Sequence, residues 1–278
     1  MEPRFWPCLT AIKAGDVAEF TRLLESDPEL AKARSSIGHP TLMQALVLDG
    51  VALDSDTQIK MGQLLAERGS ALDEPLISAG SLDNAIMAKF IVDQGGAVDG
   101  REDVMQGWTA MEEALYWQNT RTVQQLVSIG ASLHNLRIAA GVGDLAETRS
   151  FFNTNGSLNS AIAGSTNFPF CEKEPAQVSS EPQAVINNAL TYAASAGHLD
   201  VADFLLGHGA EINCIPLGFH FRGSALHNAA MHGRRAMCDF LLSVGADRSL
   251  PDLSVDGHLP AGWARHGKHD ELAAYLEP

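Results

Sequence analysis

One phrase is written twice near the C-terminal end of the chain. Leu190-Thr191-Tyr192-Ala193-Ala194 leads to Gly197-His198, then to Phe204-Leu205-Leu206 and Gly209-Ala210. After 36 residues Leu226-His227-Asn228-Ala229-Ala230 leads to Gly233, Phe240-Leu241-Leu242 and Gly245-Ala246-Asp247. A period of this length constrains the fold more than any local propensity, because each unit is too small to bury its own apolar face and must stack on a neighbour. Stacked repeats present extended surfaces, so the period also points toward binding.

With the leucine of that phrase as an anchor, fainter copies appear upstream. Anchors fall at Cys8, Leu42, Leu76, Met111, Leu136, Leu190, Leu226 and Ala261, spaced by 34, 34, 35, 25, 54, 36 and 35 residues. A glycine lies 19 residues after the anchor in four units, at Gly95, Gly130, Gly209 and Gly245. Each unit reads as a short helix, a tight turn at Gly or Asp, a second helix with an apolar triplet, and a glycine that caps its end. Paired alanines let helices approach closely, and the Leu-Leu steps supply a shared core.

The predicted boundaries place units near 5–38, 39–73, 74–104, 105–133, 134–158, 187–221, 222–255 and 256–278 of a single domain, 1–278. Three departures stand out. The second unit carries an excess around Gly50–Thr57. Only Ser132 to Asn135 join the fourth unit to the fifth, too few for a full finger. Residues 159–186 form an inserted loop rich in Ser, Pro and Asn, with Phe168-Pro169-Phe170 as a point where it is pinned.

Bulk properties narrow the class. The 278 residues are 45% apolar and carry a net charge of −15. Such a field repels phosphate backbones and anionic lipid, which disfavours nucleic acid and membrane surfaces and favours a basic or neutral partner. No apolar run reaches the roughly 20 residues of a membrane span. Met1-Glu2-Pro3-Arg4-Phe5-Trp6 lacks the basic and apolar regions of a signal peptide, so the chain reads as cytoplasmic. Cys8, Cys171, Cys214 and Cys238 are isolated, as reduced structural cysteines are.

The pattern resembles ankyrin-repeat proteins, whose first helix carries T-P-L-H-x-A. Ser224-Ala225-Leu226-His227-Asn228-Ala229-Ala230 matches it with conservative swaps, and Gly209-Ala210-Glu211-Ile212-Asn213 is similar to the family's G-A-D-V-N finger. The resemblance is strong over 187–276 and 107–158 and weak over 1–100. It implies an all-α solenoid of about eight helix-turn-helix units, with finger loops and a concave binding face. It implies a histidine, His227, that ties neighbouring turns. It also implies protein recognition without chemistry of its own, a step that rests on analogy of fold.

Little in the residues asks for catalysis or a cofactor. There is no GxSxG elbow and no phosphate-binding glycine loop, and Gly141-Val142-Gly143 follows a helix rather than a strand. The histidines His258, His266 and His269 with Asp270 invite a metal, yet no HxxxH or Cys/His cluster gives converging ligands, so no metal is expected. Glu112-Glu113 reads as a carboxylate pair on a solvated helix face. No catalytic residue is assigned.

Large side chains at adaptable positions are more informative. In the ankyrin register these positions flank the finger glycine and close the first helix. They hold Met105, Gln106, Trp108, Tyr116 and Trp117 in the fourth unit, Phe219, His220, Phe221, Met231 and His232 at the seventh, and His266 in the eighth. Aromatic residues and methionine are enriched where interfaces concentrate their energy. The favoured reading is a monomeric, non-enzymatic module binding a protein partner through its concave face, on units four to eight. The alternative is a small-molecule or enzymatic role in a groove between units four and six, covered by the 159–186 insertion.

Overall fold

Several helices in this chain begin where a short polar side chain accepts a free backbone N–H. Asp16 caps Glu19 at 2.9 Å, Thr41 caps Gln44 at 3.1 Å, Asn135 caps Ile138 at 3.0 Å and Asp144 caps Glu147 at 2.9 Å. Each cap contributes about 1 kcal/mol. Some helices end where the backbone turns left-handed, at Gly15, Gly143 and Gly197.

The structure, a computed structural model, describes residues 2–36, 41–100, 108–168 and 173–278. It divides into two compact units, 1–132 and 133–278. In the first, four antiparallel pairs follow one another: α1 (Trp6–Ala14) with α2 (Val17–Ser26), α3 (Leu42–Asp49) with α4 (Ser55–Ala66), α5 (Asp73–Ser81) with α6 (Ala85–Asp93), and α7 (Ala110–Tyr116) with α8 (Thr120–Ser128). First helices pack on first helices, α1 on α3 on α5 on α7, and second helices on second. Four pairs make the second unit: α9 (Leu136–Val142) with α10 (Leu145–Ser150), α11 (Pro182–Ala196) with α12 (Leu199–Gly207), α13 (Ala225–Met231) with α14 (Arg235–Ser243), and α15 (Pro260–His266) with α16 (Asp270–Leu276). Again α9, α11, α13 and α15 stack in order. Among the described residues the only β pairing outside helices is an isolated bridge, Phe152 with Leu158. Among the described residues each unit is therefore an all-α stack of four repeated helix pairs, as the repeat reading expects.

Successive pairs are fastened by one recurring contact. The residue that opens a second helix reaches back to a carbonyl near the end of the preceding pair's first helix. Asn84 donates to the Val47 carbonyl at 3.3 Å, Asn119 to Gly80 at 2.7 Å and Arg234 to Ser195 at 2.9 Å, while a His198 ring nitrogen meets Gly141 at 3.1 Å. These bonds satisfy carbonyls that a helix end would otherwise leave open. Between them lies the core: Leu136, Leu190, Leu226, Leu205 and Leu241 are each at most 1% exposed, and each such side chain stabilises by about 1.5–3 kcal/mol.

The insertion is part of this packing. Its end is helical, because α11 begins at Pro182, so the expected loop 159–186 gives up its last residues to the helix. The Ala163 carbonyl accepts from Leu136 N–H at 3.1 Å. Arg137, buried on α9, donates to the carbonyls of Ser165 and Asn167 at 2.7 and 2.8 Å and to the Asn167 amide oxygen at 2.7 Å. Phe168 is fully buried, which places the expected pin; Pro169, Phe170 and Cys171 lie outside the described residues.

Candidate interaction surface

The second unit brings three loops together along one edge. The insertion meets the finger between α12 and α13 through hydrogen bonds and rings. Thr166 Oγ1 donates to the Gln177 carbonyl at 2.6 Å, and the Gln177 amide oxygen accepts Phe219 N–H at 3.4 Å. Asn188 of α11 donates to the Leu217 carbonyl at 2.8 Å. Phe219 packs at a tilt against Tyr192 with ring centroids 5.1 Å apart and is only 7% exposed. Phe219 therefore does not face outward, contrary to the sequence expectation: the long finger folds back and uses this ring to plug itself onto α11.

Its neighbours do face outward. His220 is exposed and meets Glu174 of the insertion at 3.1 Å, and its ring sits edge-on to Phe221. Phe221 is 62% exposed. One residue on, the Arg222 carbonyl accepts Leu253 N–H from the next finger at 3.0 Å, and Leu253 and Val255 are 54% and 105% exposed. Apolar side chains of this size in solvent, on adjoining loops, are uncommon unless something covers them.

The finger between α14 and α15 is held by Asp252. This side chain, 7% exposed, accepts from the backbone N–H groups of Ser254 and His258 at 3.0 Å and from the Trp263 indole at 2.8 Å. Burial alone would raise its pKa; the bonds from Ser254, Trp263 and the backbone outweigh that and hold it below the usual carboxylate range. Ser254, His258 and Asp252 share this loop without forming a hydrolytic triad, because the serine and the aspartate both address Nδ1 of His258. A triad needs the nucleophile on one ring nitrogen and the carboxylate on the other. His227 performs the tie that the resemblance implied: Nδ1 meets Ser224 Oγ at 2.8 Å and Nε2 meets the His258 carbonyl at 3.1 Å.

Of the remaining residues read from sequence in this unit, His266 is exposed and Met231 is half-buried. His232 is also half-buried. Burial, helped by Arg234 and His269, pushes its pKa down to about 4, so it stays neutral at physiological pH. No group of three or more His, Cys, Asp or Glu side chains that could hold a metal ion occurs among the described residues.

The first unit holds the other predicted aromatics. Trp108 is fully buried, which corrects the expectation that it faces a partner. It lies just before the α7 cap Thr109 and packs edge-on to Tyr116 at 5.6 Å. Tyr116 is half-buried and Trp117 is 39% exposed, the two rings edge-on at 5.1 Å. Met105 and Gln106 lie outside the described residues. Glu112 and Glu113 are 3% and 4% exposed rather than solvated. Glu112 closes a capping box with Thr109, accepting the Thr109 N–H at 3.0 Å. Glu113 accepts the Trp117 indole N–H at 2.8 Å, and burial pushes its pKa up to about 7.

Sequence reasoning missed Asp252, Trp263, Leu253, Val255 and the burial of Glu113. Only Asp252, in a Pro-Asp turn, carried a local signal.

Residues 190–242 match the family model for ankyrin repeats (many copies). Diacylglycerol kinase iota of Mus musculus is 35% identical over 88 residues, and the Homo sapiens protein is 34% identical over the same length. These stretches are 32% of this chain, and the chain spans only 8% of the length of those kinases. Among solved structures the human ASB11 ankyrin repeat domain is similar at 14% identity, with a TM-score of 0.46 over 98% of each chain.

Proposed function

The chain is an ankyrin-repeat protein, and from that premise we propose that it is a non-enzymatic module that docks a protein partner on the finger edge of its second unit. The observation that carries this reading is the exposure of Phe221, Leu253 and Val255 on two fingers joined by the Arg222–Leu253 hydrogen bond. Their loops are braced by Asp252 and by the insertion, so little ordering entropy would be lost on binding. His220 adjoins Phe221 on this edge; Trp108 and Phe219 leave the proposed surface because they are buried. The net charge of −15 favours a partner with basic residues around an apolar centre, and steers its approach.

The test is affinity capture from the native cell with the wild-type chain and with a Phe221→Ala, Leu253→Ser, Val255→Ser variant. These side chains are exposed, so the variant should melt like the parent. A partner captured by the wild type should bind the variant at least about tenfold more weakly when purified, as truncated anchors typically do. Equal binding would move the surface elsewhere.

A further inference from the structure

Independently of that finger edge, the first unit contains a buried carboxylate whose surroundings suit a cation. Glu113 is 4% exposed, and its Oε1 accepts the Trp117 indole N–H at 2.8 Å. Oε2 is buried and has no hydrogen-bond partner. An ionised carboxylate left half-satisfied in a poorly solvated site is costly, and an arriving counter-charge removes that cost. Tyr116 packs edge-on against Trp117 with the ring centroids 5.1 Å apart, and aromatic faces attract cations where water is scarce. Trp117 sits at the C-terminal cap of α7 and is 39% exposed, so the indole that bonds the buried carboxylate also reaches solvent. The first unit as a whole carries 19 acidic against 10 basic residues, which draws cations toward it.

We propose that Glu113, Trp117 and Tyr116 form a receptor for the ammonium group of a lysine side chain presented by a partner. Lysine fits better than arginine because a single carboxylate oxygen remains open. A guanidinium makes its gain from two parallel bonds, whereas an ammonium acts as a point charge. The ammonium would donate to Oε2 and lay its methylene stem along the exposed indole. Since binding needs the ionised carboxylate and the free group titrates near pH 7, affinity for the cation rises with pH through that range and levels off above it.

The experiment uses the intact chain and small probes, so its outcome does not depend on the finger edge. The Trp117 indole resonance, assigned with Trp117→Phe, is followed by NMR. Nα-acetyl-lysine methylamide is titrated in, beside the arginine analogue and the neutral Nα,Nε-diacetyl-lysine methylamide. The lysine probe should shift the resonance saturably, the arginine probe should act more weakly, and the neutral probe should have no effect. Affinity at pH 8 should exceed that at pH 6 by about tenfold, following the ionised fraction of a group with a pKa near 7. Glu113→Gln should abolish the shift while the indole signals of Trp6, Trp108 and Trp263 stay in place as a check on folding. A resonance unmoved by about 50 mM lysine probe would overturn the proposal. So would binding without pH dependence, an equal response to arginine, or a shift retained in Glu113→Gln.

Discussion

The imidazole of His198 occupies the space over Gly143: a Cβ added there would lie 2.5 Å from the ring nitrogen Nδ1. The ring is held in that place by its bond to the Gly141 carbonyl, one pair back along the stack. Gly143 itself has φ +86°, a conformation other residues adopt only at a cost. Two independent reasons therefore require glycine.

Gly143→Ala should lose about 2–3 kcal/mol, combining left-handed strain with displacement of the imidazole. Gly130 provides the control, because it has φ +88° but no atom within 4 Å of its would-be Cβ. Gly130→Ala should lose only the backbone part, about 1–2 kcal/mol. Urea midpoints of the two variants decide it; equal losses would show that the His198 contact yields freely.

The converse applies to Lys268, which holds φ +65° between α15 and α16, in the turn position that Gly143 and Gly197 fill elsewhere. Its side chain is exposed, so nothing is lost with it. Lys268→Gly should relieve strain and raise stability by about 0.5–1 kcal/mol after the extra chain entropy is subtracted. A lowered melting temperature would contradict this.

These turns were legible in the sequence because the period repeats them, so one clear copy teaches the reading of faint ones. His227 was legible for the same reason. The aromatic positions were harder. A register says which residues leave the core of their own repeat, but not that the finger carrying Phe219 folds back onto Tyr192. Glu112 and Glu113 read as solvated on α7 taken by itself; in the structure that seven-residue helix packs against both α5 and α8. The finger held by Asp252 depends on partners as far along as Trp263, and no local pattern signals that.

Glu113 also makes stability depend on pH. Its pKa rises from 4.5 to about 7 on folding, so the fold favours the protonated form. That contribution is full below pH 4.5, is lost as pH rises toward 7, and is gone above. Relative to Glu113→Gln, which does not titrate, the wild type should lose on the order of 3 kcal/mol between pH 4.5 and pH 8. Chemical denaturation of both proteins at those two pH values measures the difference. A constant gap would mean that Glu113 is better solvated than its burial indicates.

Loss of the α15–α16 pair should reach the finger edge. Ala261, Ala264, Leu272, Ala273 and Leu276 are buried in the same core as Leu226 and Leu241. Tyr275 receives the Arg235 guanidinium over its ring at 3.5 Å. A chain ending at Asp256 loses this cover and also removes two braces: the His258 carbonyl that meets His227, and the Trp263 indole that donates to Asp252. Losing Leu272 and Leu276 alone should cost about 3–6 kcal/mol. The exposed stack end should also make the protein self-associate, as uncapped repeat arrays do. Light scattering and thermal melting of the shortened chain test both effects. A monomer with an unchanged melt would mean that α13 and α14 close the stack without help.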